Sequence, residues 1–306
     1  MATGLLPWTL VCLLALAGHA QDVRSHRTPA GTVHELVRVP AGFFTMGSDA
    51  GKADEMPPHR VYLDEYYIDR FELTNELFVA FLNDRGHHRS PEGEFIDMDD
   101  ADAGIVWSQA RGFALVAPEQ AQRPAVEVSW LGADAYCRWA GLRLPSEAMW
   151  EKAARGNDGR TYPWGEGISR EHANYGKEGC CGGDAGDGYE FSAPVGTYAA
   201  GVSPFGAHDM AGNVWEFVSD WYGESYYGRS PLRNPEGPAD GLVRVLRGGS
   251  FGSDPRRLRT TDRSGLPSTP SFVLIGFRCA VGTADLPTAV RRASWGVIKG
   301  GEKDRR

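Results

Sequence analysis

Residues 129–156 read SWLGADAYCRWAGLRLPSEAMWEKAARG. Ser129 stands where a side-chain oxygen can accept a hydrogen bond from the free N–H groups that open a helix. Ala133, Tyr136 and Ala140 then recur on one helical face, and Gly141 supplies the stop. A shorter helix follows at once, beginning at Ser146 and ending at Gly156. Toward the N-terminus, LTNELFVAFLND (73–84) has the same grammar: Thr74 caps, and Leu77, Phe78, Phe81 and Leu82 make an apolar stripe. LVRVPAGFFTMGS (36–48) alternates like an edge or hairpin strand. From 156 to Cys279 the chain offers only turns, Gly-rich loops and short strand candidates such as VRVLRGG (243–249).

The 39 glycines and 19 prolines among 306 residues have no period, which predicts many turns and little regular structure. A hydrophobic share of 42% and a charged share of 24% are those of a soluble globular domain. A net charge of -8 argues against nucleic acid as the main partner. Residues 1–20, MATGLLPWTLVCLLALAGHA, hold no Lys, Arg, Asp or Glu. The apolar run from Leu10 to Leu16 is shorter than the ~20 residues that span a bilayer, so it reads as a secretory signal cleaved near Gln21, although its start lacks the usual positive charge. A buried helix or a membrane anchor is the alternative. No other segment is apolar enough to span, so the mature protein is expected to be secreted or periplasmic. Residues 21–32 and 284–306 are expected to be mobile extensions around one domain at 33–283. Export leaves Cys137, Cys180, Cys181 and Cys279 in an oxidising compartment. Four cysteines allow three pairings, and spacing alone does not choose.

The blocks LVRVPAGFFTMGS, YYIDRFELTNELFVAFL, RPAVEVSWLGADAYCRWAGLRLPSEAMWEKAARG, YPWG, HDMAGNVWEFVSDWY, RVLRGGSF and IGFRCAVG, in this order, resemble the formylglycine-generating enzyme family, the sulfatase-modifying factors. The resemblance covers about 33–283. It implies an α+β, C-type-lectin-like fold: a single compact domain with little regular secondary structure. The family's best-known members oxidise a sulfatase cysteine to formylglycine, using oxygen and a copper(I) ion held by two thiolates. Soft sulfur ligands select that ion. In such enzymes the thiols follow the Gly-Gly-Ser turn, and here those places hold Ser253 and Leu258. A second departure is Leu274, where the family commonly has Asn. Copper binding and formylglycine production by the usual mechanism are therefore not expected.

What the resemblance leaves in the pocket is Trp215, Ser250, Ser253, Arg256, Arg259 and Arg263, with Arg257 and Asp262 between them. Arginine forks bind carboxylate, sulfate and phosphate, which points to an anion or acidic-ligand site. The alternative is that these arginines pair with carboxylates or hold the loop. The resemblance also implies two structural calcium sites, one from Asn174, Tyr175, Asp187 and Tyr189, the other from Asp209, Gly212, Val214 and Glu216; calcium takes such oxygen donors. Asx turns and surface charge would account for some of the same residues. The resemblance pairs Cys137 with Cys279. Cys180 and Cys181 can form a vicinal disulfide, stay as thiols or bind a soft metal. Two functions follow: a divergent oxidoreductase or tailoring enzyme, since some family members without the cysteine pair are linked to other oxidations such as siderophore maturation, or a non-catalytic lectin-like module binding a peptide, glycan, small molecule or other anionic ligand. A deep, water-excluding cavity favours the first and a shallow basic groove the second.

Overall fold

The computed structural model describes residues 22–176 and 185–285. The expected signal peptide, Cys180, Cys181 and nearly all of the expected C-terminal tail lie outside the described residues.

All three helices form where their caps predict. In α1 (Asn75–Arg85) the Thr74 hydroxyl accepts from Leu77 N–H, and Gly86 closes the helix at φ 72°. Phe78, Phe81 and Leu82 are buried, whereas Leu77 sits at the edge of the core. In α2 (Trp130–Trp139) Ser129 accepts from Gly132 N–H at 3.1 Å, and Gly141 takes φ 75°. The third, α3 (Glu147–Arg155), is capped by Ser146 and buried on every side, including Glu147, Glu151, Lys152 and Arg155. A charged helix buried all round requires partners for its charges: Arg247 and Arg263 meet Glu147 and Glu151, while carbonyls of residues 40–47 take Lys152 and Arg155.

The alternating stretch at 36–48 is two strands in different sheets. Pro40 has no N–H to give a ladder, and the chain breaks there between Val33–Val39 and Gly42–Met46. Gly42–Met46 pairs with His59–Leu63. Val33–Val39 joins an antiparallel sheet ordered Val23–Arg27, Val33–Val39, Tyr66–Asp69, Ala280–Gly282. This corrects the reading of 21–32 as a mobile extension. Val23–Arg27 is a sheet strand in full register with Val33–Val37, and its His26 ring nitrogen reaches the Ala140 carbonyl at 2.6 Å.

A second sheet runs Ser264–Leu266, Arg244–Arg247, Trp215–Trp221, Ile275–Phe277, the last pair parallel. The larger core packs α1 and α2 over these strands, with Phe78, Phe81, Tyr136 and Phe277 in ring contact. The Cys137–Cys279 disulfide, implied by the resemblance, ties α2 to the strand end at a Cα separation of 5.6 Å. A second core surrounds Trp150 of α3, and a small third one holds Tyr162, Ala173, Ala211 and Leu258. No helix among the described residues is long and apolar enough to cross a membrane.

Candidate functional site

The loop after Arg244–Arg247 turns on Gly248 and Gly249, at φ 94° and 75°. A Cβ at Gly249 would lie 2.9 Å from the Arg257 carbonyl, so glycine lets the loop fold back on itself. Ser250 and Ser253 meet inside this turn: the Ser250 N–H donates to Ser253 Oγ at 3.0 Å, and the two hydroxyls lie 3.2 Å apart. Both are buried. Leu258 is fully buried in the third core. The two places where the resemblance puts thiolates therefore hold a hydroxyl satisfied by its neighbour and an apolar core side chain. Neither offers a ligand to copper(I).

The arginines separate sharply. Arg263 is buried and grips Glu147 with Nε and Nη2 at 2.6 and 2.9 Å, while Nη1 donates to the Asp54 carbonyl. Arg259 closes a fork on Glu55 at 2.6 and 2.7 Å. Burial pushes the Glu55 carboxyl up, but the Arg259 fork and the Lys52 backbone N–H outweigh it and bring it down to about 2. Burial likewise raises Glu147, and Arg263 and Arg247 more than offset it. Arg256 is exposed, with its guanidinium on Asp254 at 3.1 Å. The expected groove of Arg256, Arg259 and Arg263 is thus not what the fold builds: the last two are internal counter-ions that lock the loop to the 52–55 turn and to α3.

Arg257, between them, differs. Among the described residues its guanidinium meets no carboxylate, and it lies 5.5 Å from the ring centre of Trp215, which is buried in the central strand. It lines an open cleft of 510 Å³ together with Lys52, Asp54, Tyr222, Arg263 and Ser264. Lys52 contacts Asp262 at 2.7 Å on the same side, and the Tyr222 hydroxyl donates to Asp54 at 2.6 Å. Sequence reading passed over Lys52 and gave Arg257 no role of its own, because only the unequal pairing of the loop's arginines singles it out.

In the first calcium set one oxygen stands open. Among the described residues Asn174 Oδ1 is buried without a partner, while its amide nitrogen donates to the Phe191 carbonyl at 2.9 Å. The Asp187 carboxylate accepts from Tyr189 N–H and the Tyr198 hydroxyl at 3.0 and 2.9 Å. The Tyr175 carbonyl accepts from the Arg170 guanidinium. The second set is arranged otherwise. Both Glu216 oxygens take Arg278 at 2.7 Å, and one also takes the Trp150 indole N–H. Asp209 accepts from Gly196 N–H at 2.6 Å, while Gly212 and Val214 lie in the backbone turn beside it, Val214 N–H donating to Glu72. Each Glu216 oxygen thus already accepts from the Arg278 guanidinium. Among the described residues no group of three or more His, Cys, Asp or Glu side chains is placed to hold a metal.

A family profile described as "Sulfatase-modifying factor enzyme 1-like domain" matches residues 21–283. The chain is 39% identical to a formylglycine-generating enzyme of Streptomyces coelicolor, over 80% of this chain and 88% of that protein. It is 35% identical to a protein of Chlamydia caviae named serine/threonine-protein kinase pkn1, over 86% of this chain but only 40% of that protein's length. Among solved structures it resembles PvdO from Pseudomonas aeruginosa, with a TM-score of 0.66 and 27% identity over 85% of this chain and 98% of that one. The protein is a single-domain α+β chain whose fold and loop define a sulfatase-modifying-factor scaffold. It belongs to the formylglycine-generating enzyme (sulfatase-modifying factor) family.

Proposed function

We propose that this family member works without copper–thiolate chemistry, as an exported protein that binds an anionic ligand in the cleft beside Arg257. The supporting observation is the pairing pattern. Arg247, Arg259, Arg263 and Arg278 are each held by a carboxylate, whereas Arg257 lines the cleft near the Trp215 ring and, among the described residues, closes no ion pair, although its charge acts on the Asp262 carboxyl. An arginine fork without a counter-ion is suited to a carboxylate, sulfate or phosphate group. The cleft's openness favours binding over the tailoring-enzyme reading, which calls for an enclosed, water-excluding site.

Tryptophan fluorescence followed during titration with citrate, sulfate and phosphate tests this. Saturable quenching is expected in the wild type and in Arg256→Gln, and its loss in Arg257→Gln; an equal response in Arg257→Gln overturns the assignment. A sulfatase-type cysteine peptide incubated with the copper-loaded protein and oxygen is expected to keep its mass, and enzyme-dependent formylglycine would restore the family's usual activity. We also propose calcium as a structural ion at Asn174 and Asp187. Chelation should lower Tm by mass action, and Asp187→Ala should remove that shift.

A further inference from the structure

Neither the cleft nor the calcium ligands use the buried row Tyr136, His34 and Asp69. His34 lies on the strand Val33–Val39 with its ring almost wholly enclosed. Its Nδ1 is 2.6 Å from Asp69 Oδ1, and its Nε2 is 2.9 Å from the Tyr136 hydroxyl. The other Asp69 oxygen accepts from Cys279 N–H at 2.7 Å. A carboxylate only accepts, so the imidazole carries its hydrogen on Nδ1 and turns the Nε2 lone pair toward the tyrosine O–H. The phenol thus faces a base, and the base is backed by an anion that stabilises its protonated form.

One turn on in α2, the Trp139 ring lies 5.5 Å from the Tyr136 ring, centre to centre. Trp139 is half-buried, and its indole N–H donates to the exposed carboxylate of Asp84 at 2.7 Å. An oxidisable indole near the surface therefore touches a buried oxidisable phenol, and each has an oxygen or nitrogen base on its X–H bond. The other aromatic rings against Tyr136, apart from His34, are those of Phe78, Phe81 and Phe277, which are far harder to oxidise.

We propose that Trp139 and Tyr136 form a one-electron relay that lodges an oxidising equivalent on Tyr136, with His34 as the proton acceptor. A one-electron oxidant at the surface, such as a radical or a photo-oxidised metal complex, takes one electron from Trp139 and is itself reduced by one. The indole radical cation then takes an electron from Tyr136. As it does, the Tyr136 O–H bond breaks and its proton passes to His34 Nε2. The products are neutral Trp139, a neutral tyrosyl radical, and an imidazolium held against the Asp69 carboxylate.

The test uses the whole protein with its disulfide intact. Illumination with tris(bipyridine)ruthenium and persulfate, followed by freezing and electron paramagnetic resonance, should show a tyrosyl radical with an exchangeable deuteron coupling from its hydrogen bond. Tyr136→Phe should lose most of that signal, and Trp139→Phe should lower its yield several-fold at equal oxidant. His34→Phe keeps a ring in place but has no N–H to donate, and should abolish the deuteron coupling, a readout that a packing role would not move. Melting curves of the three variants establish that each is folded. The same tyrosyl spectrum in folded Tyr136→Phe, or a yield unchanged in folded Trp139→Phe, overturns the relay.

Discussion

Arg263 and Glu147 are both buried and form the shortest ion pair that either makes, with Arg247 at 3.3 Å as a second, longer partner of Glu147. Removing one member of such a pair strands the other's charge, so Arg263→Ala should cost about 3–5 kcal/mol in urea unfolding. Arg256→Ala, three-quarters exposed, should stay within about 0.5 kcal/mol. Nothing in the run Arg256, Arg257, Arg259, Arg263 announces this difference, because the deciding carboxylates, Glu55 and Glu147, lie 204 and 116 residues away. Local sequence supplied the charge, and only the tertiary fold assigned its partners. Asp220 carries a pH dependence of definite sign. Burial, and then the Glu147 charge, pushes its carboxyl up to about 7, against about 3.9 in an unfolded chain. The folded state therefore holds this proton more tightly. The associated stability is complete below about pH 4 and is lost as pH rises through about 7. Asp220→Asn can still accept the Glu147 N–H that Asp220 takes at 2.9 Å, so the stability difference between the variant and the wild type should grow in the variant's favour between pH 4 and pH 8. Paired thermal melts across that range measure it.

Helices were legible in this chain because their signals are local: a capping hydroxyl, an apolar face and a closing glycine lie within one element. Ser129 does double service, capping α2 and donating its hydroxyl to the Glu94 carbonyl at 2.6 Å. Ser129→Ala should therefore lose about 1 kcal/mol or somewhat more, read from the shift in denaturation midpoint. Gly132→Ala should be worse, since a Cβ there would fall 2.1 Å from the Phe95 carbonyl oxygen, a backbone atom. The strands were harder to read. Trp215–Trp221 is the centre of its sheet, yet Glu216 and Asp220 interrupt its apolar run, and both are buried because Arg278 and the start of α3 meet them. Val23–Arg27 was missed for the opposite reason: its polar side chains stay largely accessible, and only its backbone register with the next strand makes it structure.

At the scale of the molecule, family, fold class and disulfide were all visible through ordered blocks of sequence, whereas the loss of the thiol pair was visible at single positions. The disulfide joins residues 142 apart, a loop for which the chain-entropy model gives about 4–5 kcal/mol of stabilisation. Calorimetry with and without reductant under mild denaturant should show a large fall in Tm, and an unchanged transition would mean that the packed cores hold the domain without the crosslink.

Leu258 makes a thiol hard to install at its position. Its side chain is fully buried against Tyr162, Ala173 and Ala211, so Leu258→Cys would empty part of a packed core, where truncating a buried leucine as far as alanine costs about 2–5 kcal/mol. Ser253→Cys alone would replace the hydroxyl that accepts the Ser250 N–H with a weaker acceptor. Copper binding would reward neither change until both thiols stood together. Building a thiol pair into this loop would thus pass through single variants that each lose packing or a hydrogen bond, so packing opposes a copper site here as much as the missing sulfur does.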